Sequence, residues 1–181
     1  MELLEYYEVG FTPETYTGLL DERQRELHAL YQRRTEIDPM SIERLRAAGP
    51  FHVLVITEPW CGDSLAILPA IAELCRRAEI GLRVVRRDER PELIDRYLTN
   101  GGRAIPIAVG LDASFMELFR WGPRPAAAQT IFEKHRAEIA AGTIDRIEIH
   151  KRIRAFYAKD KGQSVVRELL AESCIEGIPL T

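Results

Sequence analysis

One stretch, residues 51–74, narrows the possible folds more than any other: F-H-V-L-V-I-T-E-P-W-C-G-D-S-L-A-I-L-P-A-I-A-E-L. Phe51 to Ile56 is a mostly apolar run rich in β-branched side chains, the pattern of a strand buried on both faces. Thr57-Glu58-Pro59 is a short connector. Trp60-Cys61-Gly62-Asp63-Ser64 then opens a helix with Leu65, Leu68 and Ala72 at helical spacing. A cysteine at such a turn sits at the positive end of a helix, among free backbone N–H groups, where a thiolate is stabilised and exposed. The plainer reading of Cys61, an inert buried thiol, stays open at this level.

The 181 residues suit one domain, or one domain with helical additions, and 46% apolar content supplies a real core. A net charge of −3 argues against a general attraction to nucleic acid. Arg76-Arg77 and Arg86-Arg87 have carboxylates nearby in sequence and read as solvated faces. The acidic start, Met1 to Gly10, lacks the pattern of a secretory signal, and no run approaches the ~18 apolar residues of a membrane span. Three cysteines, Cys61, Cys75 and Cys174, make no paired framework, which points to a reducing, cytoplasmic compartment. His28, His52, His135 and His150 have no metal-ligand spacing, so neither a metal nor another cofactor is expected.

Trp60-Cys61-Gly62-Asp63-Ser64 resembles the active-site W-C-x-x-C of the thioredoxin superfamily, with Ser64 in the place of the second cysteine. Pro69 stands where thioredoxins carry a proline that kinks this helix, and Ile105-Pro106 resembles their cis-proline, which faces the reactive cysteine. The resemblance spans roughly residues 50–121. It implies an α/β thioredoxin-like fold, with a four-stranded mixed sheet flanked by helices. Residues 50–122 would form the core, 1–49 an N-terminal helical extension and 123–181 C-terminal helices. One departure is Val55, where thioredoxins carry a buried Asp six residues before the reactive cysteine.

Ser64 decides the chemistry, because serine cannot release a mixed disulfide as a second thiol does. Cys75 lies fourteen residues along the same helix, roughly 21 Å away at 1.5 Å per residue, too far to resolve Cys61. The resemblance therefore implies a monothiol thiol–disulfide oxidoreductase whose partners are protein disulfides or low-molecular-weight thiols. A peptide-binding or adaptor protein without turnover is the alternative. Serine substituted for a native cysteine is a third possibility. The catalytic candidates are Cys61 and Ser64. Trp60, Gly62, Asp63, Ile105 and Pro106 are candidates for substrate binding, with Arg103 on a loop facing the same groove. Helix end and Ser64 hydroxyl would lower the Cys61 pKa while Asp63 opposes them, giving a modest net depression and a partly exposed sulfur. Oligomeric state is not legible.

Elsewhere the spacing predicts a helix from Thr12-Pro13 to about Arg34, which Gly18 interrupts or not, and a second from Ile42 to Ala48 capped by Ser41. Strands are expected at Leu82–Arg86, Ile105–Leu111 and Phe115–Trp121, and a short helix at Pro91–Leu98. The C-terminal third reads as helices Ala126–Ala141, Thr143–Lys159 with core positions Ile144, Ile147, Ile153 and Phe156, and Ser164–Cys174 closed by Gly177. Pro69 is expected to bend the helix after Cys61, since proline removes the hydrogen bond to the carbonyl of residue 65.

Overall fold

The computed structural model describes residues 1–47 and 51–173. Four helices precede the sheet: α1 (Leu3–Val9), α2 (Pro13–Thr17), α3 (Glu22–Arg34) and α4 (Pro39–Ala47). Thr12 caps α2 through the Thr15 N–H, with Pro13 in the first turn. The expected helix from residue 12 to 34 is two helices, because Asp21 begins a new one. Its carboxylate accepts the Gln24 N–H while the Gln24 side chain accepts the Asp21 N–H, a reciprocal cap. The cap of α4 is Asp38 and not Ser41: Asp38 accepts both the Ser41 N–H and its hydroxyl. Helix α1 was not legible, being a short run of acidic and apolar residues. The expected last residue of α4, Ala48, and Cys174 and Gly177 lie outside the described residues.

Strand β1 (His52–Thr57) leads through the Cys61 turn into α5 (Gly62–Ala78) and then β2 (Gly81–Arg86). A short helix, α6 (Pro91–Ile94), and one 3₁₀ turn lead to β3 (Ile107–Leu111) and β4 (Glu117–Trp121). The sheet order is β2-β1-β3-β4. Strand β1 is parallel to β2, Val55 pairing with Val84, and antiparallel to β3, Val55 pairing with Ala108; β3 and β4 are antiparallel. The βαβ crossover explains the one parallel pair. On the outer edge of β2, Phe11 and Val84 exchange two backbone hydrogen bonds of 2.8 Å, so the N-terminal segment satisfies part of an edge that would otherwise be open.

Residues of β1 alternate between two cores, as a period of two requires. Val53 and Val55 face the larger cluster, with Ile67, Ile71 and Leu74 of α5. Leu54 and Ile56 face the other, with Tyr6 of α1 and Leu93 and Ile94 of α6. Helix α5 continues without interruption through the buried Pro69.

After β4, the cis Gly122–Pro123 peptide turns the chain into α7 (Ala126–Lys134), α8 (Arg136–Ala140), α9 (Arg146–Asp160) and α10 (Gln163–Ser173). The single helix expected over 126–141 breaks at His135, which leaves the helical region. In α9 the buried positions are Ile149, Ile153 and Tyr157, while Ile147 is exposed, which corrects its assignment to the core. Ile153 is buried as expected, Ile144 and Phe156 pack partly buried against the same core, and the fully buried stripe runs at i, i+4, i+8 from Ile149.

Candidate active site at the Cys61 turn

Cys61 is the N-cap of α5, and β1 places it at the end of the central strand. Its N–H donates to the Glu58 carbonyl at 3.1 Å, which closes the connector into a tight turn. Across the cleft, the Ile105–Pro106 peptide is cis. The Cys61 Sγ donates to the carbonyl oxygen of Ile105 at 3.6 Å, so residues 44 apart in sequence meet at the sulfur. Cys61, Trp60, Gly62, Asp63, Ile105 and Arg103 all border one cleft of about 770 Å³; Ser64 and Pro106 are buried behind it.

The sulfur is less accessible than its position suggested: Cys61 is only 8% exposed. Its pKa moves opposite to expectation. Burial pushes the thiol up, and this outweighs the Ser64 hydroxyl and backbone N–H groups, which pull it down; the Asp63 charge adds to the rise. The helix end contributes roughly 0.3–1 kcal/mol at an exposed site, too little to offset the removal of water from a thiolate. The Ile105 carbonyl, an acceptor, also favours the protonated form. A strand-to-helix turn by itself implies exposure; the cis-proline loop closing over it is a tertiary fact.

Ser64 is 2% exposed and its hydroxyl is hydrogen-bonded to that of Thr57, itself fully buried. With Thr57 donating, the Ser64 proton is free to point at the sulfur. Beside them lies the buried Tyr16 hydroxyl, which finds no hydrogen-bond partner at bonding geometry among the described residues. Burial raises its pKa, and the charges of Glu58 and Cys61 act on it in the same direction. Val55 is fully buried and apolar, so the β1 interior holds no acid. Glu58, three residues before the thiol and also fully buried, is occupied elsewhere. It accepts from Arg86 Nε at 3.1 Å and from the Asp88 N–H at 2.8 Å.

Asp63 turns out to be a junction. Arg124, after β4, reaches one oxygen with Nε at 2.8 Å and Nη2 at 2.6 Å, and the Tyr157 hydroxyl of α9 donates to the other at 2.9 Å. The carboxylate is thereby committed to holding the C-terminal helices on the Cys61 turn. Arg103 forms a two-pronged pair with Asp95, both contacts at 2.7 Å, so its candidacy for substrate binding meets a prior partner. Trp60 is 56% exposed, with Arg87 stacked on its indole at 4.7 Å from the ring centre. Cys75 is buried, and its thiol is pushed up to about 12 by desolvation. Among the described residues no group of three His, Cys, Asp or Glu side chains is placed to hold a metal ion. Nor is any helix among them long and apolar enough to cross a membrane.

A mixed sheet with one parallel pair, a cysteine capping the helix after the central strand, and the carbonyl of the residue before a cis-proline against its sulfur define a thioredoxin-like protein. The thioredoxin family model matches residues 10–138, and the chain belongs to that family. A protein of unknown function from Pseudomonas aeruginosa superposes with a TM-score of 0.74 at 21% identity, over 95% of this chain and 96% of that one. An HIV epitope scaffold superposes with a TM-score of 0.73 at 20% identity, over 95% of this chain and 97% of that one. Both likenesses concern the fold. No curated protein matches the chain.

Proposed function

We propose that the protein carries out thiol–disulfide exchange as a monothiol, with Cys61 as nucleophile. The observation that carries this reading is the Cys61 sulfur at a helix N-cap, on the wall of an open cleft, 3.6 Å from the Ile105 carbonyl of the cis peptide. The ionised sulfur attacks one sulfur of a disulfide RS–SR. A Cys61–SR bond forms, the RS–SR bond breaks, and RS⁻ leaves with the electron pair. A second, external thiolate R′S⁻ then attacks the SR sulfur, releasing RS–SR′ and restoring the Cys61 thiolate. Ser64 steadies the sulfur by hydrogen bonding and cannot displace SR. Ile105 and Pro106 present backbone to an extended substrate; Trp60, Gly62 and Asp63 frame the entrance. The partners are protein disulfides or low-molecular-weight thiols, and the reducing cytoplasm suits the chemistry.

A second reading, a binding or adaptor protein without turnover, draws on the burial of Cys61 and the upward shift of its pKa. The two are separated by incubating the protein with low-molecular-weight disulfides at pH 8–9 and following the mass of Cys61. A mixed disulfide that forms, persists until an external thiol is added, and is lost in Cys61→Ala supports exchange; an unmodified Cys61 supports the adaptor. Ser64→Cys places two thiols three residues apart at a helix start, where closure is geometrically possible. That variant is expected to gain slow insulin-type reductase activity that the parent lacks. The monothiol reading fails if the parent already reduces insulin at thioredoxin-like rates.

A further inference from the structure

Outside the Cys61 cleft, arginines are paired in places, as Arg76 and Arg77 with Glu73 at 2.8 and 2.7 Å, and in others have no ion-pair partner among the described residues, as Arg23 and Arg33 of α3. What sets the cleft apart is how many of them gather in one concavity. Six arginines border it against two carboxylates, Asp63 and Glu133, although the chain as a whole carries a net charge of −3. Three of the six are engaged with carboxylates within 3 Å: Arg87 with Asp88, Arg103 with Asp95, Arg124 with Asp63. A fourth, Arg136, lies 3.7 Å from Glu133. The remaining two, Arg146 and Arg154, have no ion-pair partner among the described residues.

These two share one face of α9 with His150, at i, i+4 and i+8. Their Cα atoms are thus about 12 Å apart along the helix axis. The face looks across the cleft toward Cys61, and its position is fixed by Tyr157 of the same helix bonding to Asp63 two residues beyond the thiol. His150 is held below its ordinary pKa by burial first and then by Arg146, with Arg124 and Arg154 acting in the same direction and Asp63 opposing. Guanidinium groups gathered on a concave wall focus their field on an anion more than the same groups scattered over a convex surface. A volume of about 770 Å³ suits a small molecule rather than a folded partner.

We propose that the cleft selects low-molecular-weight thiols and disulfides bearing carboxylates, which Arg146 and Arg154 hold while the substrate's sulfur meets Cys61. This names the substrate class for the exchange reading and rests on it. The chemistry is the two-step exchange above, with the charged substrate supplying both RS–SR and the leaving RS⁻.

The test compares three disulfides of similar size that differ in charge: 3,3′-dithiodipropionate, 2-hydroxyethyl disulfide and cystamine. Suberate, the dicarboxylate with the disulfide replaced by two methylenes, serves as an inert probe whose binding is followed by NMR. At low salt the dianion is expected to modify Cys61 about tenfold faster than the neutral reagent, and cystamine slower than either. The dianion-to-neutral ratio should fall toward one in 0.5 M NaCl and in Arg146→Gln/Arg154→Gln. The charge-matched control Arg23→Gln/Arg33→Gln, on exposed positions of α3, should retain it. Equal rates for dianion and neutral reagent, or a ratio untouched in the α9 variant, overturn the proposal while exchange itself stands. If no disulfide reacts, the exchange reading fails and suberate decides the cleft: binding lost in the α9 variant upholds carboxylate recognition, and absent binding overturns it. An oligoglutamate peptide that shields Cys61 from iodoacetamide at lower concentration than suberate makes the occupant an acidic protein and also overturns it.

Discussion

At Cys61 two opposing effects are decided by magnitude. A helix N-terminus and a serine hydroxyl favour the thiolate, but removing a sulfur anion from water costs more than they return. The thiol is therefore expected to react with iodoacetamide slowly at pH 7, with a rate that climbs to a midpoint above that of free cysteine. A midpoint below that of free cysteine would contradict the burial argument. Asp63→Asn removes a neighbouring negative charge and frees Arg124, and both changes favour the anion, so this midpoint should move down. Ser64→Ala should move it up, since the hydroxyl lowers the Cys61 pKa. It also leaves the buried Thr57 hydroxyl without its partner, at a cost of about 1–3 kcal/mol in unfolding free energy.

The helices differ in what holds them. Helix α5 lies against β1 through Ile67, Ile71 and Leu74, and this packing outweighs the penalty of Pro69 in its interior. Proline there costs roughly 3 kcal/mol relative to alanine by propensity alone. Helix α9 is attached differently. Ile149 and Ile153 supply apolar contact, and Tyr157 ties it to Asp63 by one charge-assisted hydrogen bond of 2.9 Å. Tyr157→Phe deletes only that bond and is expected to lower stability by about 1.5–3 kcal/mol in denaturant titrations. A loss below 0.5 kcal/mol would mean that Arg124 alone secures Asp63. Because α9 forms one wall of the cleft, the same variant should increase proteolysis near residues 143–146 if the hydrogen bond is what docks it.

For the molecule as a whole, alkaline pH is the sensitive direction. Cys75 is held protonated to about 12 in the fold, whereas an unfolded cysteine ionises near 8.5. Between those values the native chain keeps a proton that the unfolded chain has released. Stability is therefore full below about pH 8.5 and falls above it, by roughly 1.4 kcal/mol per pH unit for this one group. Cys61 and the buried tyrosines Tyr16 and Tyr157, all raised by burial, act in the same direction and steepen the fall above pH 10. Denaturant midpoints that stay level from pH 7 to 10 would contradict this; Cys75→Ala should make the decline shallower by one group's share.

Residues 51–74 determined the centre of the fold on their own, because a doubly buried strand and an amphipathic helix each advertise their burial by local periodicity. The candidate nucleophile was legible with them, as was the antiparallel β3–β4 pair, whose short connector leaves little choice. Helix caps were less so: Asp21 and Asp38 act through side-chain geometry that Ser41 mimics in sequence. The face of α9 was legible only in part: Ile153 was placed correctly, but Ile147 and Ile149 compete for the core and packing against α7 and α5 chose Ile149. The shape and charge of the cleft belong to the tertiary structure, although Cys61, Asp63, Ile105 and Arg103 were legible as neighbours of one groove. Its arginines are spread from Arg87 to Arg154, and a loop 44 residues from the thiol closes its carbonyl on a sulfur that the local sequence had placed in water. Electrostatic and solvation energies depend on distances through space, and no local periodicity encodes those distances.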